Sequence, residues 1–220
     1  MRLPSDAVVT DSPGAPAPRN PGAGHYFEPE PTAASRPRDV ELHLPDLSLR
    51  LQTDRGVFAA AAIDPGTKLL LLDGPAPRTD GVLVDLGCGY GPIAIALAKR
   101  SPAAQVFAVD VNRRALALCA ANAVANGATN VRALEAAEVP DHLRVDELWS
   151  NPPIRVGKTA LHQLLLSWLV RLTPDGRALL VVQKHLGSDS LARWLVEQGW
   201  PTERRESRGG YRILEVLARP

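Results

Sequence analysis

The chain has 220 residues, 45% of them hydrophobic, and a formal net charge of +1. That length fits one domain with a sizeable core, and near-neutrality excludes a bulk electrostatic case for nucleic acid, leaving only a local basic patch. No apolar run approaches the ~20 residues of a membrane span, no N-terminal apolar segment reads as a secretory signal, and Cys88 and Cys119 have neither zinc-site spacing nor the density of a disulfide scaffold, so a reduced, cytoplasmic protein without metal is expected.

Residues 1–24 are rich in Pro, Ala and Gly and poor in large apolar groups. Such a segment buries too little surface to offset its ordering entropy, and a disordered arm is predicted. The folded domain is predicted over residues 25–220, where His25, Tyr26 and Phe27 either cover a site or anchor the arm. Val40, Leu42 and Leu44, then Leu47, Leu49 and Leu51, alternate with polar residues around Pro45-Asp46. This period predicts a β-hairpin within residues 38–60. Its end, Gly56-Val57-Phe58, either folds over a ligand or packs in the core. Asp64-Pro65 then opens a short helix, with Asp64 as N-cap and Pro65 at the first position.

From residue 81 strands and helices alternate. VLVDL is a strand apolar on both faces, followed by the helix GPIAIALAKRS and the strand QVFAVD. NRRALALCAANAVANG is a helix stopped by Asn126-Gly127. NVRALE and DELWS are the third and fourth strands, TALHQLLLSWLVRL an amphipathic helix, and RALLVVQKH the fifth strand. SDSLARWLVEQG is a last helix and YRILEVLA a last strand. Repeated βα units predict a doubly wound, mostly parallel α/β sheet. Arg204, Arg205, Arg208 and Arg212 lie near Glu203 and Glu206, and surface ion pairs are predicted there. Cys119, Trp149, Trp168 and Trp194 are predicted as packing residues.

In VDLGCGYGPIAIAL a strand, a glycine turn and a helix follow one another. Glycines permit a tight turn and close ligand approach, and a helix N-terminus offers N–H groups to an anionic end of a ligand. The dinucleotide fingerprint is G-x-G-x-x-G; here Gly87, Gly89 and Gly91 place the third glycine one position early, with Cys88 a small residue between. Asp85 is awkward beside a pyrophosphate and suits a cationic amine. Asp110, ending the second strand, can accept both hydroxyls of a ribose. Together these favour S-adenosylmethionine (SAM) over a nicotinamide cofactor or a merely structural turn.

The fourth strand runs into SNPPIRVGK. Two prolines fix φ and donate no hydrogen bond, so the expectation is a rigid backbone without internal bonding. Such a backbone leaves the Asn151 side-chain oxygen and a backbone carbonyl free to hold one planar NH₂. Arg155 and Lys158 follow at the crevice mouth, with Lys184 and His185 ending the fifth strand on the same side. These are either phosphate contacts, which position RNA without reading it, or solvated surface.

Taken together, VDLGCGYGPI, SNPPIRVGK, TDRGVF, VVQKHLG and GGYRI resemble the class I SAM-dependent methyltransferases of the small methyltransferase-domain family. The nearest branch looks like the bacterial ribosomal small-subunit RNA guanine-N2 methyltransferases, in single-domain form. The resemblance implies a Rossmann-like seven-stranded sheet whose last strand is antiparallel, an RNA substrate and SAM as cofactor. It implies that Asp85, Gly87, Cys88, Gly89 and Gly91 line the methionine part, Asp110 takes the ribose, and Val111 and Glu135 meet the adenine. Asn151 and Pro152 would hold the target nitrogen beside the cofactor, with Pro153, Ile154, Arg155, Lys158 and Lys184 toward the substrate. Two positions depart from the pattern: Glu135 replaces the usual Asp or Asn, and Ile154 stands where many relatives have an aromatic residue. The alternatives are another planar amine (a DNA adenine, a protein glutamine or a small molecule) and a non-catalytic SAM-fold binding module.

Overall fold

The computed structural model describes residues 30–219; the predicted arm over 1–24 and residues His25, Tyr26 and Phe27 lie outside them. The alternating leucines form a hairpin of β1 (Arg38–His43) and β2 (Ser48–Thr53), antiparallel, with Leu42 opposite Leu49. Period two puts Leu42, Leu49 and Leu51 on one buried face. Helix α1 (Pro65–Asp73) starts as the sequence predicts: the Thr67 N–H donates to the Asp64 carboxylate at 3.0 Å, and Pro65 needs no donor.

The remaining elements are β3 (Val82–Leu86), α2 (Pro92–Arg100), β4 (Gln105–Asp110), α3 (Arg113–Ala125), β5 (Val131–Glu135), β6 (Val145–Ser150), α4 (Lys158–Leu169), β7 (Leu172–Gln183), α5 (Ser188–Glu197), β8 (Thr202–Arg208) and β9 (Tyr211–Leu217). They build a seven-stranded sheet in the order β5-β4-β3-β6-β7-β9-β8, parallel except for β9, which runs antiparallel to both neighbours. This is the Rossmann-like α/β fold that the βα alternation and the family resemblance imply. Strand order reverses between β3 and β6, and ligands bind such sheets beyond the carboxyl ends of the strands at that switch.

Both faces of the sheet are covered. The hairpin, α1, α2 and α3 bury Leu51, Leu70, Ile95, Leu97 and Cys119 against one. On the other, α4 and α5 bury Leu161, Leu165, Trp168, Leu191 and Leu195. Each such side chain contributes about 1.5–3 kcal/mol. Asn122 of α3 holds the hairpin in place: its carbonyl accepts from the Gln52 N–H at 2.7 Å, and its NH₂ donates to the Gln52 and Tyr90 carbonyls at 2.8 and 2.9 Å. Trp149 is fully buried, as predicted; Cys88 and Cys119 are free and buried. Among the described residues no helix is long and apolar enough to cross a membrane.

Two elements differ from the sequence reading. Strand β7 begins at Leu172, five residues before the apolar run, because Val145 pairs with Leu172 and a register shift follows before Glu147 meets Arg177. Strand β8, TERRESR, carries no strand signal in the sequence. It lies at the sheet edge with every side chain but Thr202 exposed, so it carries no apolar alternation, and its charges suit an unpaired edge. Its arginines do form ion pairs, but not with Glu203 or Glu206. Arg204 meets Asp189 at 3.0 Å, Arg208 meets Asp73 at 3.0 Å, Arg205 pairs with Glu215, and Arg212 on β9 pairs with Asp189. Their partners come from α5, α1 and the paired strand β9, which sequence proximity does not identify.

Candidate active site

At the switch point the Ser150 hydroxyl donates to the Leu86 carbonyl at 2.6 Å. That bond joins the ends of β3 and β6, so the next residues, Gly87 and Asn151, stand side by side on one cavity of about 370 Å³. The volume falls in the range of small-molecule sites.

One wall is the glycine loop and the end of β4. Gly87 and Gly89 have positive φ (76° and 54°), and a Cβ at either would meet nothing within 4 Å. Their backbone is therefore open to a ligand in the cavity. Gly91 serves differently. It is buried at φ 95°, and a Cβ there would come within 2.6 Å of the Cys119 sulfur, so it permits close packing of α2 on α3. The loop donors are largely spent within the protein. The Gly87 and Cys88 N–H groups donate to the Val109 carbonyl at 2.8 and 3.0 Å, Gly89 to Asp110 at 2.8 Å, and Ala94 in the first turn of α2 to Asp85 at 2.9 Å. In the first turn of α2, Pro92 has no N–H and that of Ala94 is taken by Asp85, which narrows what this helix end can offer an anion.

Asp110 lies on the wall with its other oxygen accepting from the Asn112 N–H at 3.0 Å. Burial raises its carboxyl above the usual range, against the pull of these backbone donors. Asn112 caps α3 and donates to the Gly56 carbonyl at 2.8 Å, which pins the loop after the hairpin over the cavity. That loop contributes Val57, Phe58 and Ala59. Phe58 is 46% exposed and so is not a core residue. Ala59, at φ 56°, is the one non-glycine residue of positive φ among those described. Val111 completes this wall.

Asp85 lies below the loop and not on the wall. It is fully buried, one oxygen has no partner among the described residues, and burial pushes its carboxyl up to about 8 despite the Ala94 donor. Cys88 lines a small adjoining cavity of about 20 Å³, its thiol pushed up by burial. Glu135 is also off the wall: Arg113 donates to its carboxylate at 2.8 Å, and its N–H donates to Glu138 across a turn at 136–138. The neighbouring Ala136 faces the cavity instead.

The opposite wall holds Asn151, Pro152, Pro153, Ile154 and Arg155. The Asn151 NH₂ donates to Asp64 at 2.7 Å and to the Thr67 hydroxyl at 3.1 Å, which leaves its carbonyl oxygen without a donor among the described residues. The prolines are not free of internal bonding. The Ile154 N–H donates to the Pro152 carbonyl at 2.8 Å around Pro153 (φ −74°, ψ 74°), an inverse γ-turn. A carbonyl has two lone pairs, so Pro152 keeps one acceptor site. Arg155 is exposed at the rim, while Lys158 and Lys184 are exposed but do not line the cavity. Sequence reasoning gave no role to Gln183 and Tyr211, which join this wall and bond at 2.6 Å. Their signal lay in QK and GGY, but only the pairing of β7 with β9 places them opposite each other.

An acid at the end of one strand and a glycine loop at the end of the next, facing Asn-Pro-Pro across a shared cavity, fit SAM on one side and an amine on the other. The protein is a SAM-dependent methyltransferase of class I, with SAM as its cofactor. The chain belongs to the methyltransferase small domain family, whose model matches residues 48–215. It is 30% identical over 195 residues to the uncharacterised protein YbxB of Bacillus subtilis, covering 87% of this chain and 97% of that one. A ribosomal RNA small subunit methyltransferase C of Shewanella amazonensis is 32% identical over 170 residues, 74% of this chain and 49% of the relative. Among solved structures, the T. thermophilus 16S rRNA N2 G1207 methyltransferase, in complex with AdoMet and guanosine, matches with a TM-score of 0.68 and 25% identity over 83% of this chain and 51% of its own. The chain thus spans about half the length of those ribosomal RNA methyltransferases.

Proposed function

We propose that the enzyme methylates the exocyclic 2-amino group of a guanine in small-subunit ribosomal RNA. The observation that carries this reading is the Asn151 carbonyl oxygen, left without a donor among the described residues, beside the second lone pair of Pro152 at the edge of the cofactor cavity. A guanine amino nitrogen is a weak nucleophile because its lone pair is delocalised into the ring. Two N–H···O bonds, to Asn151 and Pro152, favour a more tetrahedral nitrogen with its lone pair aimed at the methyl group. This is positioning and preorganisation. SAM supplies an electrophilic methyl group: the nitrogen lone pair forms the new N–C bond, the C–S electron pair stays on sulfur, and the proton then lost from nitrogen goes to water. No side chain has to remove a proton before attack.

In this reading Asp110 takes the ribose hydroxyls, Val111 lies beside the adenine, and Gly87 and Gly89 follow the methionine chain. Asp85 supports the loop from beneath, accepting from the Ala94 N–H. Ile154 packs on the flat target base, and Arg155 at the rim contacts phosphate, with Lys158 and Lys184 farther along the RNA. The choice of guanine in ribosomal RNA draws support from the similarity to methyltransferases named for that target. Transfer of tritiated methyl from SAM to naked small-subunit RNA and to isolated small subunits tests it. Label in at least one is expected; label in neither, with SAM bound, contradicts the proposal.

A further inference from the structure

We propose that Asp64, assisted by Thr67, is a positioning residue that aims the Asn151 amide and strengthens its oxygen as an acceptor. The inference rests on the reading of Asn151 as the group that holds the target amine. Both N–H bonds of the Asn151 amide are used, at 2.7 Å to the Asp64 carboxylate and 3.1 Å to the Thr67 hydroxyl. The orientation is set by chemistry: a flipped amide would press its oxygen against a carboxylate, which when ionised only accepts. The carbonyl is thereby turned toward the cavity, whose wall includes both Asp64 and Asn151.

Asp64 already has a structural task, accepting from the Thr67 N–H at 3.0 Å as the cap of α1. That task does not account for its second bond, which reaches 87 positions along the chain to a residue on another element. The turn carrying Asp64 is firmly seated. A Cβ at Gly66 would stand 2.5 Å from the Tyr211 ring and 2.9 Å from the Asp64 carboxylate oxygen, so the ring packs directly on this turn. Thr67 is 4% exposed.

The electrostatic consequence follows from the direction of the bond. A carboxylate accepting from the NH₂ side polarises the amide, raising electron density on its oxygen. The target nitrogen becomes positive as it attacks, so that oxygen binds it more strongly in the transition state than in the ground state, which is the condition for raising turnover. Asp64 thus acts on the reaction through Asn151 and without touching the substrate.

Asp64→Ser separates the two tasks, because serine still caps a helix but is too short to keep the bond to Asn151. Asp64→Asn keeps a neutral acceptor and removes the charge. With small ribosomal subunits as acceptor, Asp64→Ser is expected to lower the single-turnover rate about 10- to 100-fold, by analogy with losing the partner that orients a metal ligand. SAM affinity and the thermal midpoint should stay near wild type, with Asp64→Asn falling between. In an Asn151→Ala background, Asp64→Ser should cost nothing further, since the two act as one unit. A wild-type rate in Asp64→Ser, or an equal loss in both backgrounds, overturns the proposal. Unchanged transfer in Asn151→Ala alone overturns this proposal and the function together, whereas loss there with a normal Asp64→Ser overturns only the positioning role. A readout that needs no acceptor is the side-chain amide resonance of Asn151, assigned by its absence in Asn151→Ala. Its protons should be protected from exchange in the wild type and lose that protection in Asp64→Ser; equal protection in the two proteins also overturns the proposal.

Discussion

The cofactor wall and the target wall of the same cavity are built of different material. From Gly87 to Asp110 the contacts are mostly backbone to backbone, or backbone to one acid, across a short span: Gly89 and Asp110 are 21 positions apart. The target wall adds side-chain to side-chain bonds that join distant segments, with Asn151 held by Asp64 across 87 positions. A backbone wall depends on conformation, and a residue that cannot adopt its φ disrupts the fold itself. A side-chain wall can lose a functional group while the chain around it stays folded. Binding and chemistry are therefore expected to be separable by mutation.

The largest separation is expected at Asn151. Asn151→Ala should cut methyl transfer by roughly 10²–10³, the scale of losing one preorganised polar contact, while SAM titrated by calorimetry binds almost as in the wild type. A parallel fall in SAM affinity would erase the distinction between the walls. Asp110→Ala is the converse. It removes the proposed ribose acceptor and the carboxylate that accepts from the Gly89 and Asn112 N–H groups, so SAM affinity should fall about 10- to 100-fold, the range of a charge-assisted hydrogen bond. Saturating SAM should then restore much of the rate.

Gly91→Ala tests the conformational character of the cofactor wall. At φ 95°, with the added Cβ within 2.6 Å of the Cys119 sulfur, it should cost about 1–3 kcal/mol of stability, read as a lower denaturation midpoint before any effect on the target side. The last effect is graded with pH. The Asp85 carboxyl stands at about 8 in the folded protein against an ordinary value of 3.8. Between those values the folded chain holds a proton that the unfolded chain has released. Stability without SAM should therefore decline as pH rises through this interval, by at most about 1.4 kcal/mol per pH unit for one proton, and level off above it. Denaturant titrations of wild type and Asp85→Asn check this; the variant should lack that part of the slope, and identical profiles would count against it.

The same contrast explains what could be read in the sequence. The glycine loop was legible because tight turns and positive φ are written into glycine itself, and Asp110 because a strand end is marked by its apolar run. Among the described residues, the hairpin, the five helices and six of the seven sheet strands follow from periodicity and end signals; β8 does not, since an exposed edge strand has no apolar face to alternate. Asn-Pro-Pro announced a rigid turn, but its γ-turn bond and the pairing of Gln183 with Tyr211 depend on geometry that residue types do not encode. Asp64 was recognised as a helix cap, and its reach to Asn151 appears only once α1 is packed against the end of β6. Glu135 shows the opposite case: its place at a strand end was legible, yet its carboxylate is turned to Arg113 and away from the cavity wall.

The most direct test of the central claim is the identity of the nucleoside produced. Small subunits from cells lacking this gene, incubated with the enzyme and SAM, would be digested and their nucleosides separated by mass spectrometry. N2-methylguanosine is expected with the enzyme and not in the control without it. Methyl groups found on adenine, or only on protein, would contradict it.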